Sequence, residues 1–254
     1  MKKQKRIKSY IGITGFINRK EIDSILNLMP ESSRLLMVGV LASQNTISGH
    51  SNRQVNRYPK IGDIIDIFPE HPQVLNLLHY NTKELSTLYE QLVEIMKLGI
   101  KNLHGFQLNI LPPDPAELRK FRSLYPEMQI VLQIGSLTFQ EIGNSPDRLA
   151  TYVSRYKGVV EYILLDTSRG TGSPLDTEEI GKYLAVLSEK KLGMGVVVAG
   201  GLSSTTLNLI EPLIRKSPRL SFDAEGRLRD ENDSLDISLA GEYLYKALKI
   251  FTSI

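Results

Sequence analysis

Cysteine is missing from the 254 residues. Its absence excludes disulfides, thiolate metal sites and any cysteine nucleophile or base. Long apolar runs are missing too. None approaches the roughly 20 residues of a membrane-spanning helix, and none of about 7–15 residues follows the basic start, as a secretory signal would require. The expectation is a cytoplasmic chain with no membrane partner. The histidines, His50, His71, His79 and His104, lack metal-ligand spacing, so no metal is expected. No P-loop sequence, Gly-x-Ser-x-Gly or dinucleotide fingerprint is present, and no cofactor is expected.

What is present is an ordinary globular composition, 41% hydrophobic and 23% charged, long enough for a large core. The net charge of +3 is too small to argue for nucleic acid. Lys2, Lys3, Lys5, Arg6 and Lys8 read as a solvated tail over residues 1–8, because no aromatic or basic support for a nucleic-acid arm appears elsewhere. No linker or composition shift follows, so residues 9–254 are expected to form one domain. The oligomeric state is open.

Hydrophobic patterning divides the rest into alternating short strands and helices. Strands are expected at Tyr10–Phe16, Arg34–Ala42, Val74–Tyr80, Leu103–Leu111, Gln129–Ile134, Tyr162–Asp166, Gly195–Ala199 and Leu220–Ala224. Asn18 with Glu21, Thr82, Asp114-Pro115, Ser145-Pro146, Asp176, and Ser203 or Ser204 read as helix starts. The last helix is expected from Asp236 to Phe251, and one after the second strand is doubtful. Eight strand–helix units with no ninth argue for an α/β fold closed as a (β/α)8 TIM barrel, a fold of typically about 250 residues. The polar stretch 43–72 is longer than a plain connection and suits a lid.

Reacting groups in such barrels sit where strands end and loops begin. Tyr162–Asp166 is a buried strand ending on a carboxylate, and a loop with Gly170, Thr171 and Gly172 follows. Asp166 is thus a candidate acid, or alternatively a loop cap bonded to backbone N–H groups. Gly200 and Gly201 end the seventh strand. They either let the backbone approach an anion or simply make a strand-to-helix turn.

Taken together, the strand ends resemble phosphoribosylanthranilate isomerase of tryptophan biosynthesis. That family opens with Lys-Ile-Cys-Gly-Ile-Thr, and Ser9-Tyr10-Ile11-Gly12-Ile13-Thr14 stands in the same place. Its Val-Gly-Val-Phe is similar to Val38-Gly39-Val40-Leu41, and its Val-Gln-Leu-His-Gly to Phe106-Gln107-Leu108-Asn109. Leu165-Asp166 followed by Gly170-Thr171-Gly172 resembles its Leu-Asp and Gly-Gly-Thr-Gly, and Ala199-Gly200-Gly201-Leu202 matches its Ala-Gly-Gly-Leu in full.

The resemblance implies an Amadori rearrangement of an N-linked ribose 5-phosphate, so the expected partner is a phosphorylated small molecule. Asp166 matches the family's general acid, whose pKa should be raised. The family's cysteine base falls at Ile11, which takes no proton. Asp223 and Glu225 are the carboxylates left to replace it. Asn109 stands at the family's histidine, and Arg53 and Arg57 lie where an arginine binds the substrate carboxylate. Gly200, Gly201, Ser203 and the following helix start would hold phosphate, with Gly170, Thr171, Gly172 and Gly226 adding contacts. Glu225 would repel phosphate unless Arg227 or Arg229 compensates. Two alternatives stay open: a related barrel enzyme acting on another sugar phosphate, and an inactive barrel that binds a metabolite or partner.

Overall fold

Strands that are apolar on both faces must be covered on both, which suits a parallel ring wrapped by helices. A computed structural model describes residues 7–167 and 175–252. Eight parallel strands close into a barrel in chain order. They are β1 (Tyr10–Thr14), β2 (Leu35–Ser43), β3 (Val74–Asn81), β4 (Gly105–Leu108), β5 (Gln129–Ile134), β6 (Tyr162–Asp166), β7 (Gly195–Ala199) and β8 (Ser221–Ala224). The ring shuts between β1 and β8, where Ile11, Gly12 and Ile13 lie against Phe222, Asp223 and Ala224.

The helices are α1 (Arg19–Leu26), α2 (Gln44–Ile47), α3 (Ile61–Ile64), α4 (Leu88–Lys97), α5 (Pro115–Leu124), α6 (Ser136–Glu141), α7 (Pro146–Ser154), α8 (Thr177–Lys190), α9 (Glu211–Lys216) and α10 (Ile237–Thr252). Their starts follow local chemistry. Asn18 accepts from the Glu21 N–H, Asp114 from Ala116 ahead of a Pro at the first turn, and Asp176 from Glu178 and Glu179. Among the described residues no helix is long and apolar enough to cross a membrane.

Two local expectations differ. Thr82 accepts from the Glu84 N–H but caps no helix: a 3-10 turn, Leu85–Thr87, comes first, and α4 starts without a side-chain cap. Ser203 and Ser204 cap no helix: a 3-10 turn, Leu207–Leu209, comes first, and α9 starts without a side-chain cap. The interval 44–73, where a helix was doubtful, holds the short α2 and α3.

Because strand side chains alternate, the strands feed two cores. Ile11, Ile13, Val38, Val40 and Phe106 join the larger one between strands and helices. Tyr10, Met37, Leu75, Leu77, Val131, Tyr162, Leu164 and Val197 form the core inside the ring. Ile7 packs against this inner core, and Tyr162 Oη donates to the Lys8 carbonyl at 2.6 Å. The tail read over 1–8 is therefore anchored at its inner end.

Following each strand toward its C-terminal end, the inward positions change from apolar to polar. Leu77 gives way to His79, Val131 to Gln133, and Leu164 to Asp166. Ser221 is followed on the same face by Asp223. That end of the barrel is where the chemistry is concentrated.

Candidate active site

Asp223 is 6% exposed, and its carboxylate accepts from Thr14 Oγ1 at 3.0 and 3.1 Å. Gln107 Nε2 donates to it at 3.5 Å. Burial pushes its pKa up from 3.8 to about 7, and the Glu225 charge adds to the rise. The Thr14 and Gln107 hydrogen bonds and the Ala224 backbone offset part of it. A carboxyl held near neutrality can both take up and release a proton at working pH.

Asp223 has this position because β1 leaves room for it. A Cβ on Gly12 would come within 2.6 Å of Asp223 Oδ1 and 2.7 Å of Met37 Cε. The β8 carboxylate thus fills the space that a side chain on β1 would take.

Asp166 is half-buried at the end of β6 and accepts from Gln133 Nε2 at 3.1 Å. Both aspartates line one cavity of about 530 Å³, together with Gln107, Asn109, Gly200 and Gly201. Gly200 (φ +118°) and Gly201 (φ +61°) have left-handed backbone, which bends the chain after β7 into the cavity wall. Asn109 Oδ1 is buried with no hydrogen-bond partner among the described residues. Asn109 and Gln133 also border a second recess of about 370 Å³, lined in part by Leu85, Ile110, Leu111 and Leu137.

Charge at the rim is organised around Glu225. Arg57 reaches from the interval after β2, places Nη1 3.1 Å from Glu225, and bonds both oxygens of Asp233 at 2.6 and 2.7 Å. Arg229 lies 3.7 Å from Glu225, and burial lowers its pKa. Glu225 is compensated by Arg57 and Arg229, while Arg227 lines the cavity.

The chain is similar in fold to phosphoribosylanthranilate isomerases. A phosphoribosyl anthranilate isomerase from Thermus thermophilus is 15% identical with a TM-score of 0.61, over 96% of this chain and 98% of that one. Another, in complex with reduced 1-(o-carboxyphenylamino)-1-deoxyribulose 5-phosphate, is 15% identical with a TM-score of 0.59, over 94% and 98%. A tryptophan synthase alpha chain from Legionella pneumophila subsp. pneumophila is 10% identical with a TM-score of 0.56, over 97% and 93%. At these identities the likeness is one of fold. No protein-family model and no curated protein matches the sequence.

Of the site residues expected from sequence, Asp166, Asp223, Asn109, Gly200, Gly201 and Gly226 line the central cavity. Gly170, Thr171 and Gly172 lie outside the described residues. Two of the expected residues lie off the cavity wall. Arg53 is exposed and absent from the cavity wall, whereas Arg57 lines it, because Asp233 and Glu225 draw that arginine inward. Ser203 is 9% exposed and also absent from the wall, its hydroxyl lying 3.0 Å from Thr205 Oγ1 and 3.3 Å from Thr206 Oγ1. Nor does a helix start there to supply N–H groups.

Ile11 is fully buried in the outer core, so side chains at that position face the helices. The sequence gives neither Thr14 nor His79 a site role. Strand alternation would have placed His79 on the inward face two residues beyond Leu77.

Proposed function

We propose that the chain is a barrel isomerase of phosphorylated sugars, and that it rearranges an N-linked ribose 5-phosphate of the phosphoribosylanthranilate kind. The observation that carries this reading is Asp223: a buried carboxylate near neutral pKa, filling the β1 side of the cavity that Asp166 also lines. An aldose–ketose rearrangement needs two proton transfers, and two carboxylates can divide them.

Asp166 protonates the ring oxygen as the C1–O bond breaks, and the nitrogen lone pair forms C1=N. Ionised Asp223 then removes the C2 proton. The C–H electrons form C1=C2, and the C1=N pair returns to nitrogen. Tautomerisation of the enol to the ketone completes an isomerisation with no net gain or loss of electrons. Asp223 takes over the cysteine's task from a neighbouring strand, and its raised pKa makes it a stronger base than an ordinary aspartate.

Support for a phosphate end comes from the left-handed Gly200-Gly201 turn after β7 and from Gly226 and Arg227 after the adjacent β8, all lining the cavity. The leucine-lined recess beyond Asn109 has room for an apolar substituent on nitrogen. Purified protein should convert phosphoribosylanthranilate to the ketose product, followed by loss of substrate fluorescence, and Asp223→Asn should abolish turnover. Absence of turnover in the native chain overturns this substrate.

A second reading has its own support. Ile11, at the position of the isomerase family's base, is buried in the outer core, so the base and its setting differ from that family's, which suits another sugar phosphate. Under this reading a panel of aldose and ketose phosphates raises the Tm while phosphoribosylanthranilate does not.

A further inference from the structure

Beside the cavity, two glycines leave room for three polar side chains to meet inside the barrel. A Cβ on Gly12 would come within 2.6 Å of Asp223 Oδ1, and one on Gly39 within 2.5 Å of Thr14 Oγ1 and 2.8 Å of His79 Nε2. In the space they leave, Thr14 Oγ1 lies 3.0 and 3.1 Å from the Asp223 oxygens and 3.4 Å from His79 Nδ1. Among the described residues these are the hydrogen bonds of the Thr14 hydroxyl.

The proton count on this chain of atoms is restrictive. A hydroxyl has one proton to give. Ionised Asp223 has none, so Thr14 must donate to it. His79 Nδ1 then faces an Oγ1 lone pair and can meet it only as a donor. His79 is 1% exposed, and burial pushes its pKa down to about 3, so it is a neutral ring with a single N–H. That proton belongs on Nδ1. Nε2 is left as a buried acceptor without a partner among the described residues. A histidine present only for packing has no reason to turn one nitrogen toward a hydroxyl and leave the other unpaired.

We propose that His79 is a positioning residue: its Nδ1–H donates to Thr14 Oγ1 and so aims the Thr14 proton at Asp223, holding that carboxylate ready as a base. The chain runs from β3 through β1 to β8, and neither Thr14 nor His79 lines the cavity. The other groups facing Asp223 are Tyr10 on β1, Glu225 just after β8 and Tyr243 on α10, with Asp166, Arg57 and Arg227 on the cavity wall. Among the described residues none of them is hydrogen-bonded to Thr14 Oγ1. The inference rests on reading Asp223 as the base, but its test needs no substrate, so missing turnover would leave it standing.

The test is an NMR titration of the Asp223 carboxyl carbon in the full chain, with the ring nitrogens of His79 observed directly. With its anchor gone, the Thr14 hydroxyl is free to turn away. His79→Leu should therefore raise the Asp223 midpoint, making it an acid weaker by about three- to tenfold. Thr14→Val should raise it similarly, and the double variant should add little to either single change. His79→Asn, whose amide N–H can replace Nδ1–H, should restore most of the original midpoint. The native ring should show its proton on Nδ1.

A midpoint unmoved by His79→Leu, independent and additive shifts, or a proton on Nε2 would each overturn the proposal. Should His79→Leu not fold, the nitrogen measurement on the native protein decides alone.

Discussion

Replacing Asp223 with asparagine should make the protein more stable above neutral pH, and the size of the gain follows from the carboxyl's surroundings. Asp223 has a folded-state pKa of about 7 against an ordinary 3.8, because burial disfavours its charge. Below about pH 4 the group is protonated whether the chain is folded or not, and it contributes nothing to the pH dependence. Between about pH 4 and 7 the unfolded chain loses this proton while the folded chain keeps it, so stability falls as pH rises. Above about 7 both states are ionised and the penalty is complete.

At about 1.4 kcal/mol per pH unit, the interval from 3.8 to about 7 corresponds to an upper value of about 4 kcal/mol. Relaxation around the buried charge reduces this, so about 2–4 kcal/mol is expected. Asparagine has the same shape and no charge to bury. For a chain of this length, the Asp223→Asn variant should melt about 5–10 °C higher than the native protein at pH 8. At pH 4 the two should melt together. Thermal melts monitored by circular dichroism across pH 4–8 measure both limits. Parallel curves for the two proteins would refute the argument, since they would mean that Asp223 does not titrate near neutrality.

The same carboxyl should set the rising limb of the pH profile of turnover: kcat/KM rises about tenfold per pH unit below about 7, as the base must be ionised. Gly105→Ala should fail to give folded protein, because its Cβ would overlap the Gln129 backbone, which has no rotamer to change; soluble yield and a melt measure this. Gly12→Ala should cost about 1–3 kcal/mol, less than at Gly105, since Met37 can move aside, and it should shift the Asp223 titration as well. Arg57→Ala releases Asp233 and unbalances Glu225, so limited proteolysis within 44–73 should speed up several-fold, with a loss of about 1–2 kcal/mol in thermal stability.

Strands with a clear apolar run and a firm boundary were legible to the residue. Gln129–Ile134, Tyr162–Asp166 and Gly195–Ala199 are read from sequence as they stand in the fold. Helix starts were legible where a side chain reaches its own backbone, as at Asn18, Asp114 and Asp176. Ser203 misled because a serine before a polar run looks the same whether its hydroxyl caps a helix or bonds to Thr205 and Thr206. Arg53 and Arg57 are alike in sequence. What separates them is the position of Asp233 and Glu225, more than 160 residues further on (|i−j| 176 and 168).

By itself the sequence determined the strand–helix alternation, the closed eight-strand ring and the strand ends where polar groups collect. These follow from local periodicity and from the need to cover apolar strands on both faces. Which polar groups meet was decided only by the tertiary structure. Gly12 and Asp223 become neighbours when β1 closes against β8, and His79 reaches Thr14 because Gly39 leaves the space between them. The proton affinity of Asp223 is of this second kind: water is excluded around it by residues brought together from distant parts of the chain, and no local stretch of sequence contains that environment.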